Sequence, residues 1–341
     1  MKYTTIPGLN KKVSKIVMGL SNDIMNNGYD NDDNLTYAFN NGINTFDCAR
    51  VYGNGKSEES FGRWLIRQRR DQIVVITKCC HPNIFGFSRV NKKAAIKDIE
   101  LSLKALKTAY VDVLLLHRDN KKVPVSKIVD FMNDIIKLGY TKTIGVSNWS
   151  IERIKEANEY AKENNLVPFT VSSPNYCLAR LVNFVFPGEA SYISSNESEE
   201  YNFYKEHDIR VLAYSALGNG FLSGKYKADE IEDGTKLPKL TKALFYSKDN
   251  IERLRRAEEV AKEVNSSVSI VSLAYLLNQE LDVCPIISAT SYKHIGENLG
   301  ALDLNIKDKL DYLDLKDLKE EEPKIEEPQA EETKEEETSE V

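Results

Sequence analysis

No stretch of the chain keeps roughly eighteen consecutive apolar residues, so no membrane-spanning helix is expected. The segment Met1–Leu9 lacks a cationic region followed by an apolar one, which argues against a secretory signal. Cysteine is scarce: Cys48, Cys79, Cys80, Cys177 and Cys284 make an odd count, at spacings that match neither a zinc site nor a disulfide framework. Cys79 and Cys80 are adjacent, which on a strand would set them on opposite faces. These are expected to be reduced thiols of a cytoplasmic protein, with no metal bound. Charge of one sign is also missing from most of the chain. The net charge of -6 arises at the C-terminus, where 319–341 holds eleven Glu and three Lys, a net of -8. The other 318 residues therefore carry about +2 (-6 minus -8), which gives no reason to expect nucleic-acid binding. A glycine-rich phosphate loop is absent as well. The first apolar run is followed by Leu20-Ser21-Asn22-Asp23, not by G-x-G-x-x-G.

What is present is an alternation of short apolar runs with amphipathic stretches. Eight runs read as strands: Lys15–Leu20, Asn44–Ala49, Ile73–Lys78, Val111–His117, Thr143–Ser147, Phe169–Ser173, Arg210–Ser215 and Val283–Ala289. Between them lie helical patterns. Asn34–Asn41 should stop at Gly42, and Ser57 could cap a helix carrying Phe61, Trp64 and Leu65. Ile96, Ile99, Leu103 and Leu106 lie at helical spacing within Asn91–Lys107. Ile128, Phe131, Ile135 and Leu138 mark a helix ending at Gly139, and Ser150 opens another. Tyr292–Leu302 reads as the last. Strands with so little polar alternation fit a parallel sheet buried on both faces. Such a pattern admits a closed barrel or an open doubly wound sheet. Eight βα units within ~300 residues, with no nucleotide loop after the first strand, favour an α/β fold of (β/α)8 TIM-barrel type. We therefore expect one barrel domain over 1–318 and a disordered acidic tail over 319–341, too polar to offset its ordering entropy. The tail would serve solubility or dock an unknown protein.

In such barrels the chemistry sits where strands end and βα loops begin. The strand ends offer Asp47 and then Tyr52, Lys78, His117, Ser147-Asn148, Ser173 and Asn175, and Tyr214-Ser215. Each alone has a plain structural reading as cap, surface charge or packing. Together they form a set. A lysine closing the apolar run IVVITK needs a partner, since a buried ammonium is costly alone, and Asp47 can supply it. A phenol of pKa ≈ 10 is a poor acid at neutral pH, and a nearby ammonium should lower that value. Lys78 would act so on Tyr52, Asp47 would hold Lys78, and His117 would hydrogen-bond a substrate oxygen. The set suits protonation of an oxygen on which negative charge builds.

FDCARVYG, VVITK, LLLHR, GVSNW, AYSALGNGFLSGKY and ENLGALD, in this order, resemble the aldo-keto reductase superfamily over nearly all of Lys2–Leu302. The likeness is to its long-chain bacterial-type branch, and the GNGFLSGKY stretch also resembles potassium-channel β subunits. The resemblance implies a catalytic tetrad of Asp47, Tyr52, Lys78 and His117. It implies reduction of an aldehyde or ketone with NADPH, NADH being the alternative. Ser147 and Asn148, with Asp47 and Ser173 nearby, correspond to the nicotinamide contacts, Tyr214 to the stacking aromatic, and Ser215, Leu217 and Lys225 to the pyrophosphate loop. Glu297 and Asn298 correspond to the adenine contacts. Ser288 stands for a usual Gly, Ser173 for a usual Gln and Ala216 for a usual Pro. The family's arginine for the 2′-phosphate is missing from Ala289–His294, leaving Ser291, Lys293 and His294 as candidates. Met25, Tyr29, Phe85, Phe87 and Trp149 are candidates for the substrate pocket by position and character, though Phe85-Gly86-Phe87 reads equally as packing. His117-Arg118-Asp119 is not a kinase catalytic loop, because Pro124 stands where that loop needs Asn. The partner expected is a small-molecule carbonyl compound, without nucleic acid or membrane. A rival reading is a cofactor-binding regulatory subunit with little turnover; a second is a lyase or isomerase using the same Tyr and Lys.

Because the tail has almost no apolar residues, truncation after Leu318 is expected to leave the thermal midpoint and kcat unchanged. Differential scanning of the truncated chain checks this; a drop of many degrees would mean that the tail packs on the barrel.

Overall fold

The structure is a computed structural model that describes residues 1–185 and 191–321. Eight parallel strands close into a barrel: β1 Val17–Gly19, β2 Thr45–Asp47, β3 Val74–Cys79, β4 Val111–Leu116, β5 Thr141–Ser147, β6 Phe169–Ser173, β7 Arg210–Ala213 and β8 Val283–Ile287. The last strand pairs with the first, Ile286 beside Val17 and Ile287 beside Met18. Of the described residues, none forms a helix long and apolar enough to cross a membrane.

Two buried layers follow from the period of two along each strand. Val17, Val74, Ile76, Val113, Leu115, Val171, Leu212, Cys284 and Ile286 fill the barrel interior. Their neighbours, among them Phe46, Val75, Leu114, Leu116, Ile144 and Val146, face the surrounding helices. The bottom of the barrel is covered by a hairpin that the sequence did not announce, Tyr3–Thr4 paired with Val13–Ser14, which brings Ile6 and Val13 onto the interior cluster.

The helix signals fall as follows. Helix Asp32–Asn40 ends before Gly42, whose φ of 91° suits a residue without a side chain. Helix Val125–Lys137 is followed by Gly139 at φ 76°. Ser150 caps helix Ile151–Glu163 by accepting from the Arg153 amide. Ser57 does not cap: helix Lys56–Leu65 starts from Gly55, and the buried Ser57 hydroxyl donates to the Leu20 carbonyl at 2.8 Å. It therefore ties that helix to the loop after β1. Several strands are shorter than read. Arg210–Ser215 stops at Ala213, and Ser215 at φ 52° has left the extended region. Tyr292–Leu299 is α-helical, with Gly300–Leu302 continuing as a 3-10 turn. A 3-10 segment spans Lys316–Glu321. The rest of the expected tail lies outside the described residues.

Helix Lys56–Leu65 meets helix Lys92–Leu106 at Gly62, where a Cβ would fall 2.1 Å from the Ala105 carbonyl oxygen. Backbone cannot yield as a side-chain tip can. Gly62→Ala should therefore destabilise the fold by about 1–3 kcal/mol, the usual cost of overpacking. Urea unfolding of the variant measures it, and an unchanged midpoint would contradict the close approach.

Candidate active site

The inward register explains why the polar strand ends converge. Val74 and Ile76 face the barrel interior, so Lys78, two residues on, does too. Val113 and Leu115 lead in the same way to His117, Val171 to Ser173, and Leu212 to Tyr214. Phe46 faces the helices, so Asp47 faces inward. A cavity of about 610 Å³ opens at this end of the barrel. Asp47, Tyr52, Lys78, His117, Ser147, Asn148, Ser173, Tyr214, Ser215, Leu217 and Ser288 all line it.

Lys78 is the centre. Its Nζ donates to both Asp47 carboxylate oxygens at 2.6 and 2.7 Å and to the Cys48 carbonyl at 2.8 Å, and it lies 3.3 Å from the Tyr52 hydroxyl. Both charges are buried, with lysine and aspartate side chains 4% and 6% exposed. Burial alone would drive the ammonium to neutrality, but the Asp47 carboxylate, and then the Tyr52 oxygen, outweigh it and lift the lysine above its ordinary value. Tyr52 behaves otherwise than expected. Its phenol sits above the usual 10, because burial outweighs the lowering by Lys78 and Asp47 offsets part of that ammonium's charge. The resting site thus holds a protonated, neutral phenol beside a fixed ion pair.

The loop that carries Tyr52 is pinned from behind. The Arg50 guanidinium donates to the Glu58 carboxylate at 2.7 Å and to the Asn54 carbonyl at 3.1 Å. The fully buried Glu58 also accepts from Thr77 at 2.7 Å, one residue before Lys78. A single carboxylate therefore ties the Tyr52 loop to the outward face of the Lys78 strand.

His117 stands edge-on to the Tyr52 ring at 5.9 Å between centroids and to His81 at 4.8 Å. Burial, followed by the charge of Lys78, pushes it well below the usual 6.5, so it is neutral at neutral pH. Across the mouth, Asn148 takes a left-handed φ of 59°, which Asn tolerates better than most residues. It donates to the Ser147 hydroxyl at 3.0 Å and accepts from the Tyr214 hydroxyl at 2.8 Å. Ser147 donates in turn to the Ser173 carbonyl, and the Ser173 hydroxyl to the Leu212 carbonyl.

Other candidates are not gathered here. Lys225, Ser291, Lys293, His294, Glu297 and Asn298 lie outside the cavity lining. The Ser291 hydroxyl caps helix Tyr292–Leu299, and Glu297 accepts from Ser269. Met25 and Trp149 are corrected: both are fully buried in the strand–helix layer, Trp149 edge-on to Phe169, and neither reaches the cavity. Tyr29, Phe85 and Phe87 are exposed and also outside the lining. Cys80 is at φ 61°, already off the strand, so the two adjacent thiols do not alternate across it; all five cysteines are buried and unpaired. His81, Arg118 and Phe184 line the cavity; none is a site residue in the sequence reading, where Arg118 enters only as part of a kinase-like triplet. Arg118 follows a strand-end histidine directly, and that adjacency was the available signal.

The chain matches the model of the Aldo/keto reductase family over residues 17–317. It is 30% identical over 283 residues to aldo-keto reductase yakc [NADP(+)] of Schizosaccharomyces pombe, covering 80% of this chain and 78% of that protein. It is 30% identical over 275 residues to a probable voltage-gated potassium channel subunit beta of Arabidopsis thaliana, covering 77% and 79%. It is 28% identical over 284 residues to L-glyceraldehyde 3-phosphate reductase of Escherichia coli (strain K12 differs slightly, at 27%), covering 79% and 78% for the O157:H7 protein. A crystal structure of the thermostable aldo-keto reductase Tm1743 with the inhibitor epalrestat shares the fold, with TM-score 0.70, 20% identity, and coverage of 92% of this chain and 99% of that one.

The depressed His117 value carries a stability consequence. Below about pH 6.5 the unfolded chain protonates this imidazole while the folded chain does not. Its contribution is present above that pH and is lost as pH falls toward the folded value, by up to about 1.4 kcal/mol per pH unit. Urea unfolding at pH 7 and pH 5 should therefore show a smaller acid loss in His117→Asn than in wild type. Equal losses would contradict a neutral buried His117. His81, also lowered by burial, keeps its own share of the slope in both proteins.

Proposed function

The chain belongs to the aldo/keto reductase family, and on that footing we propose that it reduces aldehydes or ketones to alcohols with NADPH, NADH being the alternative, with Tyr52 as proton donor. The observation that carries this reading is the Lys78 ammonium bridging the Asp47 carboxylate and the Tyr52 hydroxyl within one cavity. The name of the fission-yeast relative, which includes NADP(+), supports the cofactor.

The donor set suits a nicotinamide. Ser147 and Asn148 present an amide and a hydroxyl side by side, as a carboxamide requires, and Tyr214 offers a flat ring hydrogen-bonded to Asn148. Loop 215–220, with Ser215, Gly218, Asn219 and Gly220 all at positive φ, supplies backbone suited to a diphosphate. By the same family correspondence we assign Lys225 to the diphosphate loop and Ser291, Lys293, His294, Glu297 and Asn298 to the adenosine end. A reduced nicotinamide supplies a hydride when bound. The residues do the remainder. Tyr52 donates its proton to the carbonyl oxygen as charge builds there. Lys78 stabilises the phenolate left behind, and Asp47 keeps Lys78 charged and placed. His117, held neutral, offers a ring N–H to the same oxygen and orients the carbonyl. A phenol raised above its usual value stays protonated throughout the neutral range, as a donor must. The potassium-channel-type relatives raise the regulatory alternative. The complete proton-donor set favours turnover.

Tyr52→Phe should cut kcat for a generic aldehyde by about 10²-fold or more, the scale of general acid catalysis. Its NADPH dissociation constant, read by fluorescence, should stay within a few-fold of wild type, because the hydroxyl acts on substrate. More than about a tenth of wild-type turnover in the variant would remove Tyr52 from the role. Tight NADPH binding by wild type with no turnover of any aldehyde would favour the regulatory reading.

A further inference from the structure

Arg118 is an unusual member of the cavity lining. It follows His117 at the end of β4, where the inward register has just delivered the histidine. Only 7% of it is exposed. Its Nε and Nη1 reach no hydrogen-bond partner, and among the described residues it makes no ion pair. What holds it is the ring of Phe184, 5.2 Å from the guanidinium carbon. That contact satisfies one face of the cation and none of its donors. Two other arginines are as buried: Arg256 pairs with Asp317 and Glu252, and Arg253, without an ion pair among the described residues, donates to the Asn250 side chain, whereas Arg118 has neither.

The charge of the lining makes the same point. Asp47 and Lys78 cancel, and His117 and His81 are both pushed toward neutrality by burial. Among the described residues, Arg118 then leaves the lining at +1 (one Asp against one Lys and one Arg). A buried guanidinium without a counter-charge costs several kcal/mol in principle, and proteins retain such a group where a ligand supplies the anion. Arg118 lines the same cavity as the proton donor Tyr52 and as Tyr214.

We infer that Arg118 is the anion-binding residue of the substrate subsite, and that the carbonyl compound reduced here carries a carboxylate or phosphate group. This rests on the reductase reading above. Arg118 takes no part in bond making. It binds the charged end of the substrate and thereby sets which way the carbonyl faces Tyr52 and His117. Phe184 backs the guanidinium, and His81 borders the same region of the cavity.

The test compares matched pairs of substrates with saturating NADPH: 4-formylbenzoate against benzaldehyde for a carboxylate, and glyceraldehyde 3-phosphate against glyceraldehyde for a phosphate. Wild type should favour the anionic member of at least one pair in kcat/KM by on the order of tenfold to a hundredfold, mostly through KM, the scale of a charge-assisted hydrogen bond. The pair that responds identifies the anion. In Arg118→Met that ratio should fall toward one, and in Arg118→Lys it should recover in part, since the charge returns without the planar donors. No preference in wild type, or a ratio unchanged in Arg118→Met, overturns the inference. An equal loss for charged and neutral substrates, or a loss confined to NADPH affinity, also overturns it and returns Arg118 to a structural or cofactor role. Calorimetry with benzoate and inorganic phosphate separates this failure from failure of the reductase reading. Arg118-dependent anion binding by a protein that reduces none of the four compounds supports the anion site and refutes the reductase. Reduction of the neutral aldehydes alone, without Arg118-dependent anion binding, does the reverse.

Discussion

The ion pair between Lys78 and Asp47 is the constraint on which the rest of the site depends. Two opposite charges, 4% and 6% exposed, sit 2.6 Å apart at the top of a barrel whose interior is otherwise aliphatic. Such a pair is a weak source of net stability, because desolvation offsets much of the attraction. Losing one partner is another matter: an uncompensated buried charge typically costs about 3–5 kcal/mol. The two residues are therefore bound to each other's presence, and the neighbours are arranged around that fact. The Cys48 carbonyl takes a further donor of the ammonium, and the Tyr52 hydroxyl lies at its remaining side. The Arg50–Glu58–Thr77 connection fixes the loop on which Tyr52 stands.

Much of this was legible because a parallel barrel converts sequence spacing into direction. Once Ile73–Lys78 reads as a strand, alternate residues must face one way, and Lys78 shares a face with Ile76. The same parity carries His117, Ser173 and Tyr214 to the cavity. Five of the eight strand ends were read one to two residues too long, since a residue beyond the last ladder bond looks the same in sequence as one within it. Ser215 shows why: apolar context suggests extension, but its φ of 52° belongs to the following loop. Loops have no such parity. Met25 and Trp149 follow strands and look like pocket residues. The short helix Asp23–Asn26 and the packing of Phe169 turn them into the core instead. The small hairpin under the barrel escaped for a related reason: its two-residue strands are shorter than any period can reveal.

Proton affinity was the least legible property. From sequence, a lysine near a tyrosine implies a more acidic phenol. In the structure the lysine's charge is already engaged by a carboxylate nearer to it than the phenol is, 2.6 Å against 3.3 Å, and burial acts on all three groups at once. The sign of the net effect depends on depth, which composition and spacing do not contain. His117 follows the same logic. A histidine at a strand end could be either charge state in sequence, but beside a fixed ammonium in an enclosed site it must be neutral.

These electrostatic facts also bear on what the cavity can accept. Among the described residues Asp47 is the one carboxylate of the lining, and, committed to its own lysine, it is not offered to a cationic substrate. Its histidines are held neutral, so they bring hydrogen bonds without charge. Among the described residues, the one uncommitted charge in the lining is the guanidinium of Arg118, set over the Phe184 ring with its Nε and Nη1 unpartnered. A neutral carbonyl compound would enter without answering it, and the cost of that buried cation would persist in the complex. An anionic one would remove the cost on binding, and its charge, held at Arg118 in the cavity that Tyr52 also lines, would fix the orientation of the carbonyl. Selectivity would then follow from the same rule that pairs Lys78 with Asp47: a charge buried at the end of this barrel requires a partner, supplied by the chain in one case and by the substrate in the other.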